Sequence, residues 1–247
     1  MRPLTAAGGR EKHENGREVL GLVAMKGKVT AALRSWALLM AGGLALAACS
    51  HSPTQTLLDD HGHRTQSWRS FGVCAAYGCR KYFTTGLSER EVARVRRAFG
   101  GPAETAAEER EAIRRAVAEL ELIIGPKTGT DGDEPGAAII NFSRDGQMDC
   151  IDESFNTTTY LTLMAQDGLL RFHDVDKPLR RGYFLNRWPH NTATVVERDT
   201  GQRYAIDSWF HGNGVPPEVV TAQDWLDGWS VKNPLPAVSA VVIGSGE

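Results

Sequence analysis

Cys150, His190 and Asp207 are the residues of this 247-residue chain whose types and order could do covalent chemistry. A thiol hydrolase needs a thiolate, a base beside it, and a group that orients the base. Asp149 is a good helix N-cap and Asp152 adds a second carboxylate, so Cys150 is expected in the first turn of a helix. There the helix dipole and free backbone amides favour a thiolate and can hold a developing oxyanion. His190 follows at the mouth of a predicted strand, and Asp207 lies on the strand that returns. If the turn Arg198-Asp199-Thr200-Gly201 pairs Glu197 with Gln202, Asp207 faces Thr192 and is the diagonal neighbour of His190 on the same face. Gln147, three residues before Cys150, is a candidate to donate its amide to the oxyanion. His173 and His211 are rival bases. They rank lower because His173 has no equally placed carboxylate and His211 sits in a Gly-rich loop.

The thiol at Cys150 stands out because the other cysteines have different work to do. Cys49 ends the run Leu46-Ala47-Ala48-Cys49, behind Lys26, Lys28, Arg34 and an uncharged apolar stretch from Trp36 to Ala48. That order reads as an export signal of residues 1–48 with its cleavage site, and the apolar stretch is too short to span a bilayer. Met25 begins a signal of ordinary length by itself, so residues 1–24 are an expected over-extension of the gene start. Cys74 and Cys79 are close enough to bridge, and an exported protein lies where disulfides persist. Cys150 is then the unpaired thiol. A zinc set of His61, His63, Cys74 and Cys79 is the competing use of these residues, but the cysteine spacing is loose for zinc.

The elements needed to position the triad are readable in outline. Residues 49–68 are expected to form a polar tether, leaving 69–247 as one domain. Ser88-x-x-Glu91 is a capping box that opens a helix running to Gly100-Gly101-Pro102. A second helix is predicted from Thr105 to Ile124, stopped by Gly125-Pro126. Residues 125–136 read as an exposed loop whose Asp131, Asp133 and Glu134 do not fit an EF-hand, before a strand from Ala137 to Phe142. The nucleophile helix runs from Asp149 to Gly168. Strands are expected at 169–175, 191–197 and 202–209, with a polar connection over 176–189 and a hairpin joining the last two. Thr221-x-x-Asp224 caps a short helix holding Trp225 and Trp229, while Trp188 and Trp209 are expected to fill the core or wall a cleft. Helices first, then a helix feeding an antiparallel sheet, is the α+β class. From residue 49 onward the chain carries 21 basic and 27 acidic residues, a balance of minus six that gives no reason to expect a nucleic-acid partner.

Two resemblances sharpen these expectations. Leu46-Ala47-Ala48-Cys49 resembles the lipobox of bacterial lipoproteins, which implies lipid on Cys49 and attachment to a membrane. Ser50 after the cysteine resembles lipoproteins sent to the outer membrane, on the periplasmic side. Asp149-Cys150-Ile151-Asp152-Glu153, Pro189-His190-Asn191-Thr192-Ala193 and Tyr204-Ala205-Ile206-Asp207-Ser208-Trp209 resemble bacterial transglutaminase-like cysteine peptidases. The resemblance covers roughly residues 137–210. It implies a papain-like core, Cys150 as nucleophile, His190 as acid and base, and Asp207 as the residue orienting His190. It also implies an envelope protein or peptide as substrate. Some members bind calcium beside the cysteine through acidic neighbours. Ile151 stands where that subgroup has an acid, so no cofactor is expected, with Asp149, Asp152 and Glu153 left as the oxygens a calcium ion would use. The reading from another class is a lipoprotein that keeps the fold as a binding or assembly module with the triad idle.

Overall fold

The structure is a computed structural model that describes residues 52–61, 66–137, 145–182 and 189–238. Cys49, the expected export signal, Trp188 and all but the first residue of the expected strand 137–142 lie outside the described residues, as does His63. The elements in chain order are α1 (Pro53–His61), β1 (Phe71–Ala75), β2 (Lys81–Thr85), α2 (Glu89–Phe99), α3 (Ala106–Thr128) and α4 (Cys150–Gln166). They are followed by β3 (His173–Arg181), β4 (His190–Glu197), β5 (Arg203–Asp207), β6 (Glu218–Thr221) and α5 (Ala222–Asp227). This is a mixed α+β fold with two antiparallel sheets, one of β1 and β2 and one in the order β3-β4-β5-β6.

Local chemistry explains where most elements start. The Ser88 side chain accepts from the Glu91 amide while the Glu91 side chain accepts from Ser88, and Gly100 closes α2 in the left-handed region at φ 92°. Asp149 and Asp152 repeat the device at the start of α4. The β4–β5 register pairs Ala193 with Ile206 and Val195 with Tyr204, as the four-residue turn required. The core forms where α4 packs between the strands and α3. Tyr160, Leu161, Leu163 and Met164 of α4 join Val195 and Ile206 of the sheet and Ile113, Leu120 and Ile124 of α3 in one buried cluster.

Four boundaries differ from the sequence reading, each for a tertiary reason. The expected tether contains α1, whose Thr54 hydroxyl is fully buried against Ser154 of α4 and whose His61 ring stacks on Tyr82 at 4.1 Å. Helix α3 does not stop at Gly125-Pro126. Pro126 removes one amide, but the Thr128 hydroxyl donates to the Ile124 carbonyl and Thr130 donates to Gly125, so the last turn closes. Strand β3 begins at His173 and continues through the region expected to be a connection. Pro178 is tolerated because the register shifts between Asp176 and Leu179, leaving a bulge where no ladder amide is needed. The loop after α3 is not wholly exposed, since Thr130 and Asp133 are buried. β6 was not anticipated.

Candidate functional site

The first turn of α4, the start of β4 and the end of β5 bring the three expected residues together. His190 Nε2 lies 2.7 Å from Asp207 Oδ2, with both side chains buried. The other ring nitrogen, Nδ1, is buried and makes no hydrogen bond. With Nε2 committed to Asp207, Nδ1 is the nitrogen left for Cys150, a free and partly exposed thiol. Burial works against the imidazolium, but Asp207 outweighs it and Cys150 adds to the effect, leaving the His190 pKa raised to about 9. Trp209, Phe210 and Trp225 surround the ring at 4.6, 5.4 and 5.4 Å between centroids, which excludes water from the His190–Asp207 bond. Trp209 is therefore a half-buried wall of the site, and its indole donates to the Ala137 carbonyl.

Trp225 was expected only as a helix residue, yet its Nε1 donates to Asp207 Oδ2 at 2.7 Å. Asp207 thus receives the imidazole and an indole on one oxygen, and Trp225 in turn lies under the Arg181 guanidinium at 4.3 Å. Nothing local in the sequence pairs residues 207 and 225. The signal was a tryptophan on a capped short helix soon after the aspartate. Trp225→Phe keeps an aromatic ring but deletes the donor together with half of the indole. It is expected to lower stability by about 1–3 kcal/mol in urea denaturation, the cost of a buried carboxylate losing a partner.

Gln147 has a different job from the one expected. Its Oε1 accepts from the Glu134 amide and its Nε2 donates to the Gly132 carbonyl, so the side chain ties down the loop over 132–134 and is not aimed at the nucleophile. The amide that does reach the thiol belongs to Asn191, whose Nδ2 is 3.6 Å from Cys150 Sγ. The rival bases do have carboxylate partners, contrary to the expectation for His173, because Glu109 reaches it from α3, outside the strand ladder on which that expectation was based. His173 is fully buried between Glu109 and Arg110, and His211 is held by Glu218 and the Leu235 amide.

Beneath the nucleophile lies a disulfide loop. Cys74 and Cys79 are bonded to each other, which leaves no thiolates for zinc. Ala76, Tyr77, Gly78 and Cys79 all have φ between 60° and 67°, a left-handed turn that only one glycine relieves. What offsets the strain is Asp152. Its carboxylate accepts from the Tyr77, Cys79 and Asp149 amides, joining the loop to the first turn of α4. Behind it sit Glu121, Asp133 and Glu153, all buried. Gly214, held at φ 79°, donates its amide to Glu121, and Asp133 accepts from the Met148 amide. Burial raises the pKa of Glu121 and Asp152 to about 7 and pushes Asp133 and Glu153 well above the carboxylate range.

These contacts also test calcium. Asp149 caps α4 through the Ile151 and Asp152 amides, both Asp152 oxygens accept backbone amides, and Glu153 is buried with Asp133 beside it. The three acids are spent on amides and on each other instead of turning oxygens toward one point. Among the described residues, the group spaced to hold a metal is Cys74, Cys79 and Asp152, and its cysteines are the disulfide. Asp149, Asp152 and Glu153 do not fit a calcium site.

Compared with known proteins, the chain matches no family model, and neither a curated protein nor a solved structure is detectably similar to it.

Proposed function

We propose that the chain is an exported lipoprotein, anchored through Cys49, that uses Cys150, His190 and Asp207 as a thiol hydrolase or transamidase on an envelope protein or peptide. The observation that carries this reading is the relay at the start of α4. A free thiol on the first helical residue meets a buried imidazole whose far nitrogen is bound to a buried carboxylate. The papain-like or transglutaminase-like core is part of the same reading, supported by the chain order of cysteine, histidine and aspartate and by a nucleophile helix packed on an antiparallel sheet.

In the reaction, the Cys150 sulfur adds to an amide carbonyl carbon and the carbonyl π electrons move onto oxygen. The Cys150 backbone N–H at the helix start stabilises that oxyanion. Collapse re-forms the carbonyl and breaks the C–N bond as the His190 imidazolium gives its proton to the leaving amine, so a thioester remains. His190 then takes a proton from water or from a second amine as it attacks, the C–S bond breaks, and the thiolate returns. Hydrolysis and transamidation share every residue and differ only in the second nucleophile.

The test is iodoacetamide labelling of the full chain, purified in detergent with its disulfide intact. Labelling is expected at Cys150, fast at pH 6, and absent from Cys150→Ser. A Cys150 that reacts at pH 6 only after the protein is unfolded would overturn the catalytic reading and leave the binding-module one.

A further inference from the structure

The segment before α1 was expected to do nothing but connect, yet its first described residue reaches the nucleophile. Ser52 is buried and its hydroxyl donates to Asn191 Oδ1 at 2.9 Å, across 139 positions of sequence. Asn191 is buried too, and its other amide atom, Nδ2, is the one 3.6 Å from Cys150 Sγ. We infer that Asn191 is a further catalytic residue that donates to the Cys150 sulfur, and that Ser52, by donating to its Oδ1, is the positioning residue that holds the amide in that orientation. The inference rests on the thiol hydrolase reading of the same site.

The argument is one of amide orientation. An asparagine amide has an accepting end and a donating end of nearly the same shape, and its neighbours decide which end points where. With Ser52 donating to the oxygen, the N–H end is turned to the sulfur, where it lowers the energy of a thiolate. The reversed amide would set a carbonyl oxygen against that negative charge. The same N–H is also near enough to follow charge as it moves from sulfur to the substrate oxygen during addition, a role left open by Gln147.

Ser52 can do this because it is not on a free end. Its carbonyl accepts from the Thr56 amide, Pro53 opens α1 with the backbone angle a first helical residue needs, and Thr54 bonds Ser154 of α4. At the far end of α1, His61 packs on Tyr82 and edge-on to Phe155. The helix is thus clamped to both the disulfide hairpin and the nucleophile helix. In a chain processed before Cys49, Ser52 is the fourth residue, so the segment stays with the protein instead of leaving as a propeptide.

The experiment is the pH profile of the Cys150 labelling rate in the full chain, in Asn191→Ala, and in Ser52→Ala and Ser52→Thr. Asn191→Ala is expected to slow labelling at pH 6 by about tenfold, as loss of one hydrogen bond to a charged group would, with the rates converging above pH 9. Ser52→Ala should shift the profile the same way by a smaller factor, and Ser52→Thr, which keeps the hydroxyl, should restore most of it. Thermal melts identify any variant that has unfolded, and Ser52→Ala, which removes one atom, guards against loss of Asn191→Ala. If the parent labels fast at pH 6 and neither Asn191→Ala nor Ser52→Ala moves the profile, this inference fails while the catalytic reading stands. If the parent itself is inert at pH 6, both fail together.

Discussion

His190→Ala is expected to cut the labelling rate of Cys150 at pH 6 by about a hundredfold. An ordinary thiol with a pKa near 8.5 is less than about one part in a hundred thiolate at that pH, and a neighbouring cation, added to the helix N-terminus, changes this by two orders of magnitude. His190 can supply the cation because Asp207, 2.7 Å away and shielded by Trp209 and Trp225, lifts its pKa to about 9. The parent should therefore label fast at pH 6, where the imidazolium stands beside the sulfur, and the difference from His190→Ala should vanish at high pH, where any thiol is ionised. Asp207→Asn removes the largest of the favourable influences on that proton, so labelling at pH 6 should fall by about tenfold. A stopped measurement of alkylated Cys150 by mass spectrometry across pH 5–10 reads all three profiles. Rates that are the same in the parent and in His190→Ala would mean that the imidazole and the thiol, though neighbours, do not act on one another.

The second large effect is on stability. Glu121, Asp133, Asp152 and Glu153 lie buried behind the nucleophile helix, and burial holds each above its ordinary pKa, Glu121 and Asp152 at about 7. The folded state then binds more protons than the unfolded one between the ordinary values and the raised ones, so stability falls as pH rises through that window. Each of Glu121 and Asp152 contributes on the order of 3 kcal/mol of loss by pH 8, and the four interact, so the losses do not simply add. A melting temperature about 10 °C lower at pH 8 than at pH 5 is the expected result. His190 works in the same direction at higher pH, because its raised pKa means that stability is lost as the imidazolium deprotonates toward 9.

Glu153→Gln isolates the cause. Glutamine keeps the shape of the Glu153 side chain while removing the charge that Glu121, Asp133 and Asp152 all resist. The variant should melt higher than the parent at pH 8 and about the same at pH 5. Tyr160, whose own pKa is pushed up by burial and by Glu121 and Glu153, should titrate more easily in it. A parent melting temperature that is flat or rising between pH 5 and 8 would mean these carboxylates are not held above their ordinary range.

The amino-acid sequence by itself determined what is local. Two capping boxes placed the starts of α2 and α4 to the residue, because the cap and its partner are three positions apart. A four-residue turn set the β4–β5 register, and register alone made His190 and Asp207 neighbours. Cys74 and Cys79 were close enough in sequence to be paired without knowing anything else. The tertiary structure decided everything that depends on distant segments meeting. Ser52 and Asn191, or Trp225 and Asp207, carry no mutual signal, since a single hydrogen bond between remote side chains imposes no periodicity on either. The segment around α1 looked like a tether because its polar residues are satisfied by α4 and the β1–β2 hairpin, not by its own pattern. Gln147 and Asn191 are both amides near the nucleophile. Which of them faces the sulfur was settled by the loop over 132–134, which claimed the first and left the second. Asp133 read as part of an exposed loop until the fold enclosed it beside Glu121, Asp152 and Glu153, because burial is a property of the packed chain and not of the residue.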